Sequence, residues 1–111
     1  MTGIYKITNL INGHAYVGQA KDIERRWTQE KNASKNQSNP GYNYPLMKAF
    51  RKYGIENFNF EIVEECDIND LNNREIYWIE FYDTFFNGYN QTFGGDTTSQ
   101  QPKEKIIGVI N

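Results

Sequence analysis

Residues 3 to 20 read Gly3-Ile4-Tyr5-Lys6-Ile7-Thr8-Asn9-Leu10-Ile11-Asn12-Gly13-His14-Ala15-Tyr16-Val17-Gly18-Gln19-Ala20, and this stretch decides the fold. Two runs rich in β-branched and aromatic residues, Ile4 to Thr8 and Ala15 to Val17, flank Asn12-Gly13. Asn and Gly tolerate the positive φ angles of a type I′ turn, so the pair predicts a β-hairpin. Side chains alternate along a strand, which puts Tyr5 on the same face as Ile7 and gives Tyr16 the opposite parity to Val17. Two roles stay open for these tyrosines, packing or chemistry, and spacing does not separate them.

Beyond the hairpin, Asp22 predicts an N-cap for a helix from Ile23 to Ser34, with Ile23 and Trp27 one turn apart on its inward side. Arg26 and Glu30 are i, i+4 neighbours, so a surface ion pair between them is one expectation. Residues 32 to 43 are polar and turn-forming, with Pro40-Gly41 as a breaker, and predict a mobile surface loop near basic residues. A second helix is expected from Pro45 to Tyr53, with Gly54 as its stop and Leu46, Met47 and Phe50 as its core stripe. Alternation in Phe58 to Glu64 predicts a third strand with Phe58, Phe60 and Ile62 inward.

Asp67 to Asp70 open a third helix that runs to Phe81 or Tyr82, with Leu71, Trp78, Ile79 and Tyr82 on its apolar face. Glu75 falls in the middle of that stripe. An inward carboxylate loses hydration and must be paired, protonated or bound to a metal. A salt bridge with Arg74 or a place at the stripe's edge are the plainer explanations. Asn87 to Asn90 read as a turn followed by a short extended piece. The predicted fold is α+β: a small antiparallel three-stranded sheet that starts with a β-hairpin and is flanked by about three helices.

With 111 residues and no internal repeat, one small domain is expected, large enough for a core without disulfides. No run of 18 apolar residues and no charged-then-apolar leader is present, so a soluble, unexported chain with no membrane association is expected. Cys66 is the single cysteine, expected as a small buried hydrophobe, and the lone histidine, His14, cannot build a zinc site.

Net charge is −2 and the pI about 5.4, which argues against a free-standing tight binder of nucleic acid. The charges are unevenly spread. Lys21 to Lys52 carry eight bases against three acids, whereas Glu56 to Asp83 carry nine acids and only Arg74 as a base. The first flank suits phosphates and the second repels them. For an individual lysine, a solvated helix face is the simpler role.

Gly3-Ile4-Tyr5 with Tyr16-Val17-Gly18 resembles the paired signature of the GIY-YIG nuclease family. The likeness continues through Ala20-Lys21-Asp22, Arg26-Trp27, Arg74-Glu75 and Asn87-Gly88-Tyr89-Asn90. It is closest to the catalytic domain of phage and intron-encoded homing endonucleases. The resemblance implies a catalytic domain over residues 1–95, with 96–111 a tail or the start of a linker to an absent DNA-binding module. The apolar Ile106-Ile107-Gly108-Val109-Ile110 is expected either to dock as an extra strand or to begin that tether.

The resemblance further implies hydrolysis of phosphodiester bonds in double-stranded DNA with one divalent cation, Mg²⁺ (or Mn²⁺). Carried over, Glu75 is the metal ligand, Arg26 holds the phosphate, Tyr5 and Tyr16 flank the attacking water, Asn90 fixes the site, and Gly18 allows close approach. One tyrosine would be the base, its phenolate held by nearby positive charge because a free phenol has a pKa near 10. Lys21, Arg25, Lys31, Lys35, Tyr44, Arg51 and Lys52 are the candidate DNA-contacting residues. A DNA-binding module or partner would supply specificity, the state would be monomer or weak dimer, and the location the cytoplasm of a bacterial or phage-infected cell.

The chain departs from the family at Glu30, where similar nucleases usually have histidine or tyrosine. The glutamate is either the base, a drag on catalysis beside a phosphate, or a silencing substitution. Gln19 stands where some relatives have lysine. A catalytically weakened or inactive DNA-binding module is therefore the alternative, and a protein-interaction domain using the acidic flank is a third reading.

Overall fold

The computed structural model describes residues 1–95. Its first strand, β1 (Gly3–Asn9), lies at the centre of a three-stranded sheet, with β2 (Ala15–Ala20) and β3 (Phe58–Glu65) antiparallel on either side. Register places Tyr5 opposite Gly18 and Ile7 opposite both Tyr16 and Phe60. Ile4, Tyr5 and Ile7 of β1 have no exposed surface, so helices must cover both sides of the sheet. α1 (Ile23–Ala33) and α2 (Pro45–Tyr53) pack on the Tyr5 and Ile7 side, where Ile23, Leu46, Met47, Phe50 and Phe58 complete one core. α3 (Leu71–Tyr82) packs on the Ile4 and Val17 side with Phe85. The α+β architecture matches the expectation.

Local signals set the helix ends. Asp22 accepts from the Arg25 amide at 3.2 Å and caps α1, which stops at Ala33, one residue short of the expected end. α2 has the expected bounds and ends at Gly54, whose φ of 89° suits a residue without Cβ. Of the expected loop, Asn32 and Ala33 finish α1 and residues 34–43 form successive turns, closed in part by Asn36 and Asn39 side chains accepting from Ser38 and Gly41 amides. A 3-10 turn, Ile68–Asp70, capped by Asp67, precedes α3.

Several expectations fail for identifiable reasons. Asn12-Gly13 is not a two-residue type I′ turn. Five residues, Leu10 to His14, join the strands, and only Gly13 among them has positive φ. The longer loop wins because the Asn9 and Asn12 side chains accept from the Ile11 and His14 amides, both at 2.9 Å. Ile62 is 37% exposed rather than inward, although it pairs with the buried Tyr5; the ladder bulges just beyond it, where Ile4 pairs with Glu64. Val63 is the extra residue and packs with the α3 core instead.

Trp78 is half-buried and Tyr82 is 37% exposed, since the Trp78 Nε1–H donates to Glu64 at the sheet edge and Tyr82 stacks on Trp78. Cys66 is half-buried, with its thiol pushed up in pKa chiefly by burial. No strand forms at 87–90. No helix among the described residues is long and apolar enough to cross a membrane. The expectations for 96–111 lie outside the described residues.

Phe50 is 2% exposed, with ring centroids 4.8 Å from Phe58 and 5.9 Å from Phe60. Phe50→Ala is predicted to cost about 3–5 kcal/mol. Guanidinium unfolding of the variant checks this.

Candidate active site

An open cleft of about 1480 Å³ lies along the free edge of β2, between α1 on one side of the sheet and α3 on the other. Strand alternation feeds it from both faces. Tyr16 and Gly18 belong to the α1 side, whereas Val17 and Gln19 belong to the α3 side. Tyr16, Arg26, Glu30, Glu75 and Asn90 all line the cleft.

Asn90 closes the strand edge. Its Oδ1 accepts from the Val17 amide and its Nδ2 donates to the Val17 carbonyl, both at 2.8 Å, so a side chain replaces a fourth strand. Gly18 is required by Tyr5. A Cβ at Gly18 would lie 2.5 Å from the Tyr5 Cζ and hydroxyl. The Tyr5 ring thus passes under β2, fully buried, and Tyr5 does not line the cleft.

Glu30 holds that ring in place. The Tyr5 hydroxyl donates to Glu30 Oε1 at 2.9 Å, while Glu30 Oε2 is buried with no partner among the described residues. Burial drives the Glu30 pKa up to about 7, against the opposing effects of the Tyr5 hydrogen bond and the Arg26 charge. The expected Arg26–Glu30 ion pair does not form among the described residues. Arg26 reaches instead across to β2, where its Nη1 donates to the Gln19 carbonyl at 3.2 Å, and no other acceptor among the described residues takes its remaining N–H groups.

Both tyrosines move away from phenolate. Burial raises Tyr5 well above its ordinary value, with the charges of Tyr16 and Glu30 adding to it. Tyr16 is raised first by burial and then by Glu30 and Glu75, outweighing Arg26. The nearby positive charge expected to hold a phenolate does not prevail over desolvation.

Glu75 is 8% exposed on the inward face of α3, as the stripe implied. Arg74 is not its partner: Arg74 Nε pairs with Glu64 at 2.7 Å. Glu75 Oε1 accepts from Gln19 Nε2 at 2.9 Å and from the Gly95 amide at 2.7 Å. Burial raises its pKa against those two bonds and Arg26. Its second oxygen has no protein partner among the described residues. No group of three or more His, Cys, Asp or Glu able to hold a metal exists among them either. A lone carboxylate with one oxygen free fits a hard cation that fills its shell with water and phosphate oxygens, and fits zinc or a soft metal poorly.

Of the candidate DNA contacts, Lys21, Arg25 and Tyr44 line the cleft. Lys31, Lys35, Arg51 and Lys52 do not. Lys31 sits over the Phe60 ring, Arg51 over Tyr42 and Lys52 over Tyr53. Gln19 and Asn72 were missed as site residues, although the parity of Gln19 with Val17 already pointed its side chain toward α3.

Asn90→Ala strips partners from the Val17 amide and carbonyl, and each buried group left unpaired costs about 1–3 kcal/mol. A lowered thermal midpoint, with no change for the exposed control Asn43→Ala, is the expected result.

Residues 1–90 match the family model described as the GIY-YIG catalytic domain. Over 113 residues the chain is 39% identical to Intron-associated endonuclease 1 of Enterobacteria phage T4, covering 96% of this chain and 44% of that protein. It spans less than half the length of this relative. Among solved structures it is similar to the catalytic domain of homing endonuclease I-TevI, with 33% identity, a TM-score of 0.71 and coverage of 81% of this chain and 97% of that one. A mutant of the same I-TevI domain gives 32% identity and a TM-score of 0.74, over 84% of this chain and 95% of that one. A family match over nearly all described residues, carried on a sheet and three helices shared with these structures, makes this chain a member of the GIY-YIG family.

Proposed function

We propose that this domain cuts double-stranded DNA by hydrolysing phosphodiester bonds, with Glu75 holding one divalent cation, Mg²⁺ or Mn²⁺, and Glu30 as the general base. The observation that carries the reading is the convergence of Tyr16, Arg26, Glu30 and Glu75 on one cleft. The cation, when bound, neutralises charge at the phosphate and at the leaving oxygen. The free guanidinium N–H groups of Arg26 bind non-bridging phosphate oxygens, and Lys21, Arg25 and Tyr44 carry the flanking backbone.

Glu30 suits the base role better than either phenol does. An ordinary carboxylate is too weak a base, but one raised to about 7 is matched to neutral pH. The Glu30 carboxylate takes a proton from water as the water oxygen bonds to phosphorus and the bond to the 3′ oxygen breaks, that oxygen taking a proton from solvent. Products then carry 5′-phosphate and 3′-hydroxyl ends. Tyr5 holds the base through Oε1, and Tyr16 lines the water's approach. The bland alternative, an inactive DNA-binding module, rests on the same Glu30 charge beside a phosphate.

Three bases at the cleft and a net charge of −2 leave target choice to a further DNA-binding module, on the same polypeptide or a partner. The setting would be a bacterial or phage-infected cell. Residues 1–95 would be the catalytic unit and the remainder its tail or linker.

Supercoiled plasmid with Mg²⁺ at low salt is expected to be nicked. The ionised form of Glu30 is the active one, so the rate should rise with pH up to about 7 and level above it. Glu30→Gln should remove that pH limb and lower the rate roughly 10²–10⁴-fold. Intact plasmid at high protein concentration, for both the native chain and Glu30→His, contradicts the nuclease reading. Salt-sensitive binding without nicking, unaffected by Glu75→Ala, supports the binding module instead.

A further inference from the structure

We infer that Gln19 is a positioning residue that aligns Glu75 for the cation and ties it to Arg26. This rests on the reading of Glu75 as metal ligand. The Gln19 side-chain amide has two N–H groups, and the geometry uses both: Nε2 donates to Asn72 Oδ1 at 2.8 Å and to Glu75 Oε1 at 2.9 Å. Reversing the amide would set its oxygen against two acceptors, so the network itself fixes the orientation. Asn72 and Glu75 lie i, i+3 on α3 and present one face to β2.

With the Gly95 amide as a second donor, Glu75 Oε1 is fully engaged, and the carboxyl can turn only Oε2 toward the cleft. The Gln19 backbone carbonyl meanwhile accepts from Arg26 Nη1. One residue on an edge strand therefore holds a carboxylate from one face of the sheet and a guanidinium from the other. Its side chain is neutral, so it orients the carboxylate without a charge that competes with a cation.

Partners that orient a metal ligand typically contribute 10–100-fold in metal affinity or activity. In the full 111-residue chain, Gln19→Ala and the shape-preserving Gln19→Met should weaken Mn²⁺ binding, followed by calorimetry without DNA, by roughly 10–100-fold. The metal concentration for half-maximal plasmid nicking should rise in step. The metal-free DNA affinity and the thermal midpoint should stay near those of the native chain. A merely structural role would move those two instead, and that result overturns the inference. Glu75→Ala separates the two claims. If it keeps native Mn²⁺ affinity, the metal reading of Glu75 falls. If it loses Mn²⁺ while both Gln19 variants bind normally, the positioning role of Gln19 alone falls.

Discussion

A single hydrogen bond, 2.9 Å from the Tyr5 hydroxyl to Glu30, joins the middle of the sheet to α1 and governs the chemistry beside it. Tyr5 has no exposed surface, and its ring fills the space that glycine leaves at position 18. Its hydroxyl must therefore find a buried acceptor, and Glu30 is the one within reach. Glu30 is satisfied on one oxygen and bare on the other. Desolvation outweighs the single bond, and the acid titrates at about 7 rather than in the ordinary range. The same balance acts on stability. The folded pKa lies above the unfolded value of 4.5, so the contribution of Glu30 is fully present below that pH and is lost as pH rises toward 7. The fold thus accepts a cost at neutral pH that a histidine or an apolar residue would avoid.

Topology explains why the site lies where it does. β1 is sealed on both faces and both edges, which suits a core strand and leaves no room for substrate. β2 has a free edge, and helices from the two faces overhang it. Groups from α1, α3 and the 87–95 segment can meet only there. Asn90 keeps that edge from pairing with another strand, so the groove stays available. The uneven charge follows the same geometry. Lys21, Arg25 and Arg26 border the cleft, whereas Glu61, Glu64 and Glu65 lie on β3, at the opposite edge of the sheet.

Much of this was legible in the sequence. Alternation revealed all three strands, caps and breakers bounded the helices, and the apolar period of α3 exposed Glu75 as an acid on an inward face. Tyr5 facing Ile7 and Tyr16 opposite Val17 followed from parity alone. What stayed hidden depended on partners far away in the chain. Side-chain bonds from Asn9 and Asn12 lengthened the hairpin loop, and Ile62, though paired with Tyr5, is 37% exposed beside a bulge at Val63. Local spacing suggested an Arg26–Glu30 pair, but each found a better partner on the sheet. Charge counting grouped Lys31, Arg51 and Lys52 with the cleft residues, yet each packs on an aromatic ring elsewhere.

The proton on Glu30 decides the chemistry of the cleft. A carboxyl carbon-13 titration of Glu30 in the full-length chain, followed by nuclear magnetic resonance, reads that proton directly. A midpoint near 7 is predicted, with the Tyr5→Phe variant titrating higher still because the hydroxyl that favours the ionised form is gone. A midpoint near 4.5 would mean that Glu30 is solvated, its bond to Tyr5 does not hold, and the cleft lacks the base assigned to it.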